Sequence, residues 1–219
     1  MTEDILEQLV DGWFKRRPST FTKHNIKYRP DISKMDKETK KKYCVNSDID
    51  VLAIELIKNQ TNVSVVNCKS WQGGFDVKFW YNKLSNVDNH KDRNSGREYW
   101  KPFRELTHKI WARAFREKIF SETNSRNFTY YIAVTKLINK EKIDDFKKCD
   151  FFLKNLKGES LKVNIEFLPL EKMITDIYNK IQKTALEATE IGRFIQLIKA
   201  ANMTINPKIK KLSAANKSG

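Results

Sequence analysis

The spacing of apolar residues predicts a helix at the start of the chain. Its apolar positions recur at helical intervals and acidic residues fill the positions between them: Ile5, Leu6, Leu9, Val10, Trp13 and Phe14, with Glu3, Asp4, Glu7 and Asp11. A stripe of this period, with acidic residues in the first turn, is typical of an amphipathic helix. We therefore expect a helix over 3–15. Pro18 should end it, and the basic stretch 19–47 is interpreted as a loop with at most a short strand or helix.

The pattern changes from helical to strand-like at residue 49. Residues 49–57 and 63–68 are apolar runs rich in Val, Ile and Leu, and the polar segment 58–62 joins them. Two such runs with a short polar link predict an antiparallel hairpin. The paired glycines after Trp71 should end the sheet, and a short helix is expected over 76–85.

The rest of the chain alternates helical and strand patterns. We expect an exposed loop over 86–96, a long helix over 97–122, a buried strand over 128–134, a helix near 140–155, a strand over 161–168, and helices over 170–184 and 187–201. This order predicts an α/β domain with a mixed central sheet flanked by helices on both faces. The domain should span 1–206, and a basic flexible tail should follow at 207–219.

Composition narrows the class of protein. The chain has 219 residues, 40% of them apolar and 32% charged, as in a single globular domain. No segment approaches the roughly 18 consecutive apolar residues that a membrane span needs, and the acidic start is unlike a signal peptide. The three cysteines lack the spacing of a disulfide framework or a zinc site. We expect a cytoplasmic protein without a membrane partner.

The net charge of +15 is the strongest compositional signal. Such an excess favours a polyanionic partner, most often nucleic acid, through counterion release and electrostatic steering. A lysine-rich solvated surface encoded by an AT-rich genome would have the same composition. Charge alone leaves these two interpretations open.

Candidate chemistry lies at one end of the predicted hairpin. A turn within 58–62 places Asp50 opposite Asn67 if the register is uninterrupted, and Lys69 leaves the same face as Asn67 because the two are two residues apart. Oxygen ligands beside a lysine are what Mg²⁺-dependent phosphodiester hydrolysis requires. Asp48 is an adjacent alternative to Asp50, and we expect it to point to the opposite face.

These residues resemble a known pattern. Segments 48–53 (DIDVLA) and 65–74 (VVNCKSWQGG) are similar to the PD-(D/E)xK nuclease superfamily, which has the restriction-endonuclease-like fold. In that family an Asp opens the second core strand and a (D/E)-x-K tripeptide closes the third. The order of predicted elements fits the family over roughly residues 1–200.

The resemblance implies roles for individual residues. Asp50 would be the metal-binding acid, the Cys68 carbonyl a further metal ligand, and Lys69 the group that orients or activates the attacking water. Glu7 is the first candidate for a carboxylate from the first helix, and Glu3 the second. The metal would be Mg²⁺, for which Mn²⁺ can substitute.

The implied activity is that of a metal-dependent DNA endonuclease, most similar to type II or Mrr-like (type IV) restriction enzymes. It would act on double-stranded DNA as a homodimer, without an organic cofactor. Candidate DNA contacts are Gln72 after the motif, Lys91 and Arg93 in the polar loop, and Lys101 and Arg104 on the basic face of the long helix. A structure-selective repair or junction nuclease and a non-catalytic nucleic-acid-binding protein are the alternatives.

One position departs from the family pattern. Residue 67 should be Asp or Glu, whereas this chain has Asn67, whose oxygen can ligate a metal but brings no charge. Three explanations are open: an engineered replacement that silences a nuclease, a natural variant compensated by Glu7 or Glu55, or a nuclease relic that only binds. The first is favoured because Asn is isosteric with Asp and Lys69 is intact. On this view residues Asp50, Asn67, Lys69 and Glu7 form the catalytic set.

Overall fold

The computed structural model describes residues 4–31, 33, 45–58, 60–158, 162–181 and 189–203. Its helices are α1 (Ile5–Lys15), α2 (Val77–Leu84), α3 (Arg104–Thr107), α4 (Lys109–Thr123), α5 (Ile143–Lys147), α6 (Asp150–Lys157), α7 (Leu170–Lys180) and α8 (Glu190–Ala200). Its strands are β1 (Thr20–Tyr28), β2 (Ser47–Ile57), β3 (Gln60–Lys69), β4 (Phe75–Asp76), β5 (Phe128–Val134), β6 (Leu137–Ile138) and β7 (Val163–Pro169). The expected tail at 207–219 lies outside these residues.

Five strands form a mixed central sheet in the order β1-β2-β3-β5-β7. The first three are antiparallel neighbours, and β3, β5 and β7 run parallel. The predicted hairpin and its register are confirmed, since Val51 pairs with Val66 and Ile57 with Gln60. Strands β4 and β6 form a separate parallel pair.

Helices cover both faces of the sheet, so the predicted α/β architecture is confirmed. One face packs against α2 to α6 around a cluster of buried aromatic side chains. Phe75, which is 1% exposed, lies within it, with ring centroids 5.5–6.1 Å from five other aromatic rings: Trp71, Trp80, Phe103, Phe146 and Phe167. The opposite face packs against α1, α7 and α8 through smaller apolar side chains such as Val51, Val66 and Met173.

Strand β1 lies in the stretch that the sequence predicted as a loop. At the start of β1 the side chains of alternate residues face α1, and the Thr22 hydroxyl donates a 2.5 Å hydrogen bond to Asp11 of α1. This alternation of faces breaks in the middle of the strand. His24 lies 3.0 Å from Asp11 on the α1 side, whereas Ile26 belongs to the opposite core. Residues two apart in a regular strand share a face, so β1 changes faces at Asn25, which has a φ of 51°.

Strand β2 changes faces at the same level. Ile49 belongs to the aromatic core and Val51 to the α1 side, although the two are separated by a single residue. That residue is Asp50, and among the described residues no pairing joins it to Asn25 in the otherwise continuous β1–β2 ladder. Asp50 therefore lies at an irregular step in the sheet, where its side chain can reach the groups of both faces.

The predicted long helix over 97–122 is interrupted. A 3₁₀ turn at Lys101–Phe103 leads into the single turn α3, and His108 has extended dihedrals (φ −124°, ψ 117°) before α4 begins. The break turns Glu105 of α3 into the interior, where it is 1% exposed. The helix expected near 140–155 is likewise divided, since extended Cys149 separates α5 from α6.

The longest helix among the described ranges, α4, has 15 residues and carries charged side chains along its length. Within those ranges, no helix has both the length and the apolar character that crossing a bilayer would require.

Candidate functional site

A polar cleft of about 220 Å³ opens where β2 begins and β3 ends. It brings together the three residues that the hairpin spacing predicted, Asp50, Asn67 and Lys69. The remaining lining residues come from the start of β2 and from the 3₁₀ turn before α3: Asn46, Ser47, Asp48, Lys101, Pro102 and Arg104. Three basic and two acidic side chains thus surround one small space.

Asp50 is fixed by the backbone of the neighbouring strand. The β2–β3 ladder extends to the pair of Val51 with Val66, and beyond it the Cys68 N–H donates a hydrogen bond to the Asp50 carboxylate. Burial raises the pKa of Asp50 from its ordinary 3.8 to about 6, although Lys69 and the Cys68 N–H both act to lower it. A carboxylate desolvated in this way favours a nearby cation.

Asp48 lines the same cleft as Asp50, which contradicts the expectation that it points the other way. Its negative charge also contributes to the raised pKa of Asp50. Residues two apart in a regular strand share a face, so alternation along β2 itself accounts for the two acids lying on one side.

Basic side chains occupy the other wall of the cleft. Lys69 extends over Phe103, with its Nζ 5.4 Å from the ring centroid. The Arg104 guanidinium lies 4.7 Å from the centroid of Trp111 and donates to the Asn46 carbonyl at 3.4 Å, while its buried Nε has no hydrogen-bond partner within the described residues. Buried polar atoms are rarely left unpaired in folded proteins, so this donor can bind a water or a ligand in the cleft.

A residue that sequence reasoning missed lies beneath the cleft. The Asn67 Nδ2 atom donates to Glu105 Oε1 at 3.0 Å, the Tyr28 hydroxyl donates to Oε2 at 3.1 Å, and the Tyr130 hydroxyl donates to Oε1. All four side chains are at least nine-tenths buried. Glu105 lies between Arg104 and Leu106 in a stretch of mixed polar and apolar residues, so the sequence carried no signal of its burial.

This network bears on the three explanations for Asn67. An Asp there would set two buried carboxylates about as close as the present 3.0 Å contact, and like charges at that distance repel strongly. The network therefore favours a natural variant over an engineered replacement. Glu55, one of the residues named as compensating, lies elsewhere, 3.8 Å from Arg17 and opposite Asn62.

Glu7 of α1 approaches the site from the other side of the sheet without lining the cleft. Burial raises its pKa from 4.5 to about 7, and the negative charge of Asp50 is the next largest cause, ahead of that of Asp4. Nearby His24 acts in the opposite direction. The pKa of Glu7 thus depends on the charge of Asp50, and its role as the helix-one carboxylate stays a prediction. Glu3 lies outside the described residues.

The candidate DNA contacts divide into two groups. Lys101 and Arg104 line the cleft. Gln72 lies exposed in the turn after β3, and Lys91 and Arg93 are in the polar loop, where Lys91 pairs with Glu98 through an isolated bridge. These last three do not line the cleft.

The donor atoms of the cleft suit a hard cation. Asp50 supplies a carboxylate, and the buried Asn67 Oδ1 has no hydrogen-bond partner among the described residues. Mg²⁺ is commonly held by one or two carboxylates while it keeps several waters, so this small oxygen set fits it. Within the described ranges, no group of three or more His, Cys, Asp or Glu side chains is placed to hold a metal ion.

The raised pKa values predict a loss of stability as the pH rises. Between pH 4.5 and about 7, Glu7 keeps its proton in the folded chain while the unfolded chain releases it, and Asp50 behaves alike up to about pH 6. The folded state binds more protons in this window, so the free energy of unfolding falls with rising pH. The Tm should therefore fall as the pH rises from 4.5 to about 7, and this fall should be smaller in Glu7→Gln.

Glu171→Gln, which replaces an exposed acid of α7, should show the same fall in Tm as the unaltered protein. If the fall were also unchanged in Glu7→Gln, the raised pKa of Glu7 would be contradicted.

In comparisons with protein-family models, with curated proteins and with solved structures, the chain has no match. The site must therefore be interpreted from its own geometry.

Proposed function

We propose that this protein is a Mg²⁺-dependent DNA endonuclease with the restriction-endonuclease-like fold. The observation that carries the proposal is the cleft that gathers Asp50, Asn67 and Lys69 at the ends of paired strands and places Lys101 and Arg104 beside them. Two carboxylates, a neutral oxygen and three cationic groups suit a phosphodiester approached by a water and a divalent cation. Mn²⁺ should substitute for Mg²⁺.

Each side chain has a defined task in this proposal. Asp50 and Asn67 Oδ1 would hold the ion, with the Cys68 carbonyl as a further ligand; the bound ion neutralises phosphate charge and lowers the pKa of a water. Lys69 orients the attacking water. Lys101 and Arg104 bind phosphate oxygens and so fix the strand. The water forms a new bond to phosphorus as the bond to the leaving sugar oxygen breaks. The charge of Asp50 helps to raise the pKa of Glu7, so Glu7 is the proposed carboxylate from the first helix.

The proposal extends to the biological role. A restriction enzyme of type II or Mrr-like character, acting in the cytoplasm, would cut both strands of double-stranded DNA. Cutting both strands requires two active sites related by the two-fold symmetry of the DNA, so the protein is proposed to act as a homodimer. Gln72, Lys91 and Arg93 lie outside the cleft and are the proposed contacts to DNA beyond the scissile phosphate.

Cleavage of plasmid and genomic DNA tests the activity directly. We expect fragments with Mg²⁺ or Mn²⁺ and intact DNA with EDTA. A discrete fragment pattern would support a restriction enzyme, whereas selective cutting of branched or damaged DNA would indicate the repair or junction alternative. Intact DNA under all metal conditions would contradict the nuclease proposal.

A second candidate is a non-catalytic nucleic-acid-binding protein, favoured by the neutral Asn67 and by the lack of a three-residue metal cluster among the described residues. Both candidates predict that the double variant Lys101→Ala with Arg104→Ala binds DNA with a weaker salt dependence. The slope of log K against log salt concentration should fall by the amount expected for about two lost phosphate contacts. Lys172→Ala, at an exposed position of α7, is the matched control. Only the nuclease predicts that divalent cations alter binding as well as cleavage.

A further inference from the structure

The carboxylate of Glu105 imposes a requirement on residue 67. An ionised carboxylate accepts hydrogen bonds but cannot donate them, and Glu105 receives them from Asn67, Tyr28 and Tyr130 in a site that is closed to solvent. A buried carboxylate is tolerated when such donors surround it. Residue 67 must therefore turn an N–H group towards Glu105.

The same contact fixes the other end of the Asn67 amide. The nitrogen and the oxygen share one planar carbon, so an Nδ2 held by Glu105 directs Oδ1 away from it. Oδ1 is buried and has no hydrogen-bond partner among the described residues, and Asn67 lines the cleft beside Asp50 and Lys69. The orientation leaves one buried acceptor atom without a partner on a residue that lines the cleft.

The two tyrosines hold Glu105 itself. Tyr28 of β1 is 5% exposed and Tyr130 of β5 is fully buried, and each donates its hydroxyl to the carboxylate. The carboxylate is thus bound from two different strands and in turn constrains a side chain on a third, β3. A group anchored on both sides in this way has little freedom to turn, and neither has the amide that it binds.

We propose that Glu105 is a positioning residue that fixes the Asn67 amide with Oδ1 towards the cleft, and that the site requires an amide at position 67. The part of Oδ1 in metal binding rests on the proposed nuclease function. The pairing of an amide with a buried carboxylate does not, and the two can be tested separately.

A double-mutant cycle tests the pairing. Asn67→Asp should lower Tm by roughly 10 °C, because it opposes two buried carboxylates. Adding Glu105→Gln should restore most of that loss, since the amide introduced at position 105 can donate to the new carboxylate and the tyrosine hydroxyls can rotate to suit. Additive effects of the two substitutions would overturn the proposal.

Asn155 provides the matched control. It is also a buried Asn, 5% exposed, and its Nδ2 donates to the Leu106 carbonyl at 2.7 Å, with a backbone group rather than a carboxylate as partner. Asn155→Asp should lower Tm, and Glu105→Gln should not restore it. Restoration here would show that Glu105→Gln stabilises buried acids in general and would overturn the specific pairing.

Two further measurements separate positioning from mere stability. The side-chain NH₂ signals of Asn67 in a ¹⁵N NMR spectrum should move in Glu105→Gln, because the amide is released, and unmoved signals would overturn the proposal. Mn²⁺ affinity, measured by calorimetry, should fall by about tenfold or more in Glu105→Gln. If the cycle shows coupling but the unaltered protein neither binds Mn²⁺ nor cleaves DNA, the positioning stands and the nuclease function fails.

Discussion

Replacing Asp50 by Asn is expected to reduce metal-dependent DNA cleavage by about a thousandfold while leaving the protein folded. Asp50 lines the cleft, and its carboxylate accepts a hydrogen bond from the Cys68 N–H of the neighbouring strand. Asn preserves an acceptor for that N–H but removes the charge that holds a cation. Loss of several kcal/mol of charge stabilisation corresponds to about three orders of magnitude in rate. Single-turnover cleavage of plasmid DNA with Mg²⁺ measures the effect.

The stability of the same variant distinguishes a functional from a structural role. Burial raises the pKa of Asp50 to about 6, so its ionised form opposes folding near pH 8. Asp50→Asn should therefore unfold at the same or a higher temperature than the parent at that pH. Asp88→Asn, at an exposed acid of the 87–89 turn, should change neither cleavage nor Tm. Full cleavage by the Asp50 variant would refute the assignment of the site.

Replacing Phe75 by Ala should destabilise the domain by about 3–5 kcal/mol, the range for truncating a buried aromatic side chain. Phe75 is 1% exposed and lies between the Trp71 ring, which stacks on it at 6.0 Å and 3°, and the Phe167 ring at 5.5 Å. Truncation would leave a cavity bounded by large rings that cannot collapse into it. For a chain of this size the loss corresponds to a Tm decrease of about 6–20 °C.

Phe79→Ala is the natural comparison for Phe75→Ala. Phe79 lies on α2 with its ring 5.4 Å from Trp80 and 5.5 Å from Tyr99, but it is 37% exposed. Part of its surface is already in water, so its truncation should cost less than half as much. Urea unfolding of the two variants measures the difference, and equal losses would contradict the central position of Phe75.

The hairpin could be predicted because the information that defines it is local. Its two strands are separated by a few residues, so the turn position alone determined which residues pair, and Asp50, Asn67 and Lys69 were brought together as expected. Strand β1 was missed because its alternation is interrupted at Asn25, whose positive φ has no clear signature in the sequence. The expectation that Asp48 points away from Asp50 was wrong because residues two apart in a strand share a face, and both acids line the cleft.

Glu105 shows what a single sequence does not provide. An unbroken helix over 97–122 gave no reason to bury a Glu. The 3₁₀ turn at Lys101–Phe103 and the extended His108 divide that helix, and Glu105 is buried between them. Its three donors come from β1, β3 and β5. Contacts between such distant parts of the chain follow from tertiary packing, which overrides local helix preference.

The division of the site between a hairpin and α3 also has a consequence for how the chain folds. Asp50, Asn67 and Lys69 are close in sequence, and contacts of short separation form early because they lose little loop entropy. Glu105 is 38 residues from Asn67, and Tyr130 follows later still as the chain leaves the ribosome. We therefore expect the hairpin to form in the nascent chain while the Asn67 side-chain amide is still free to rotate. The amide should be fixed only when α3 and β5 dock and bring Glu105 and Tyr130 to it.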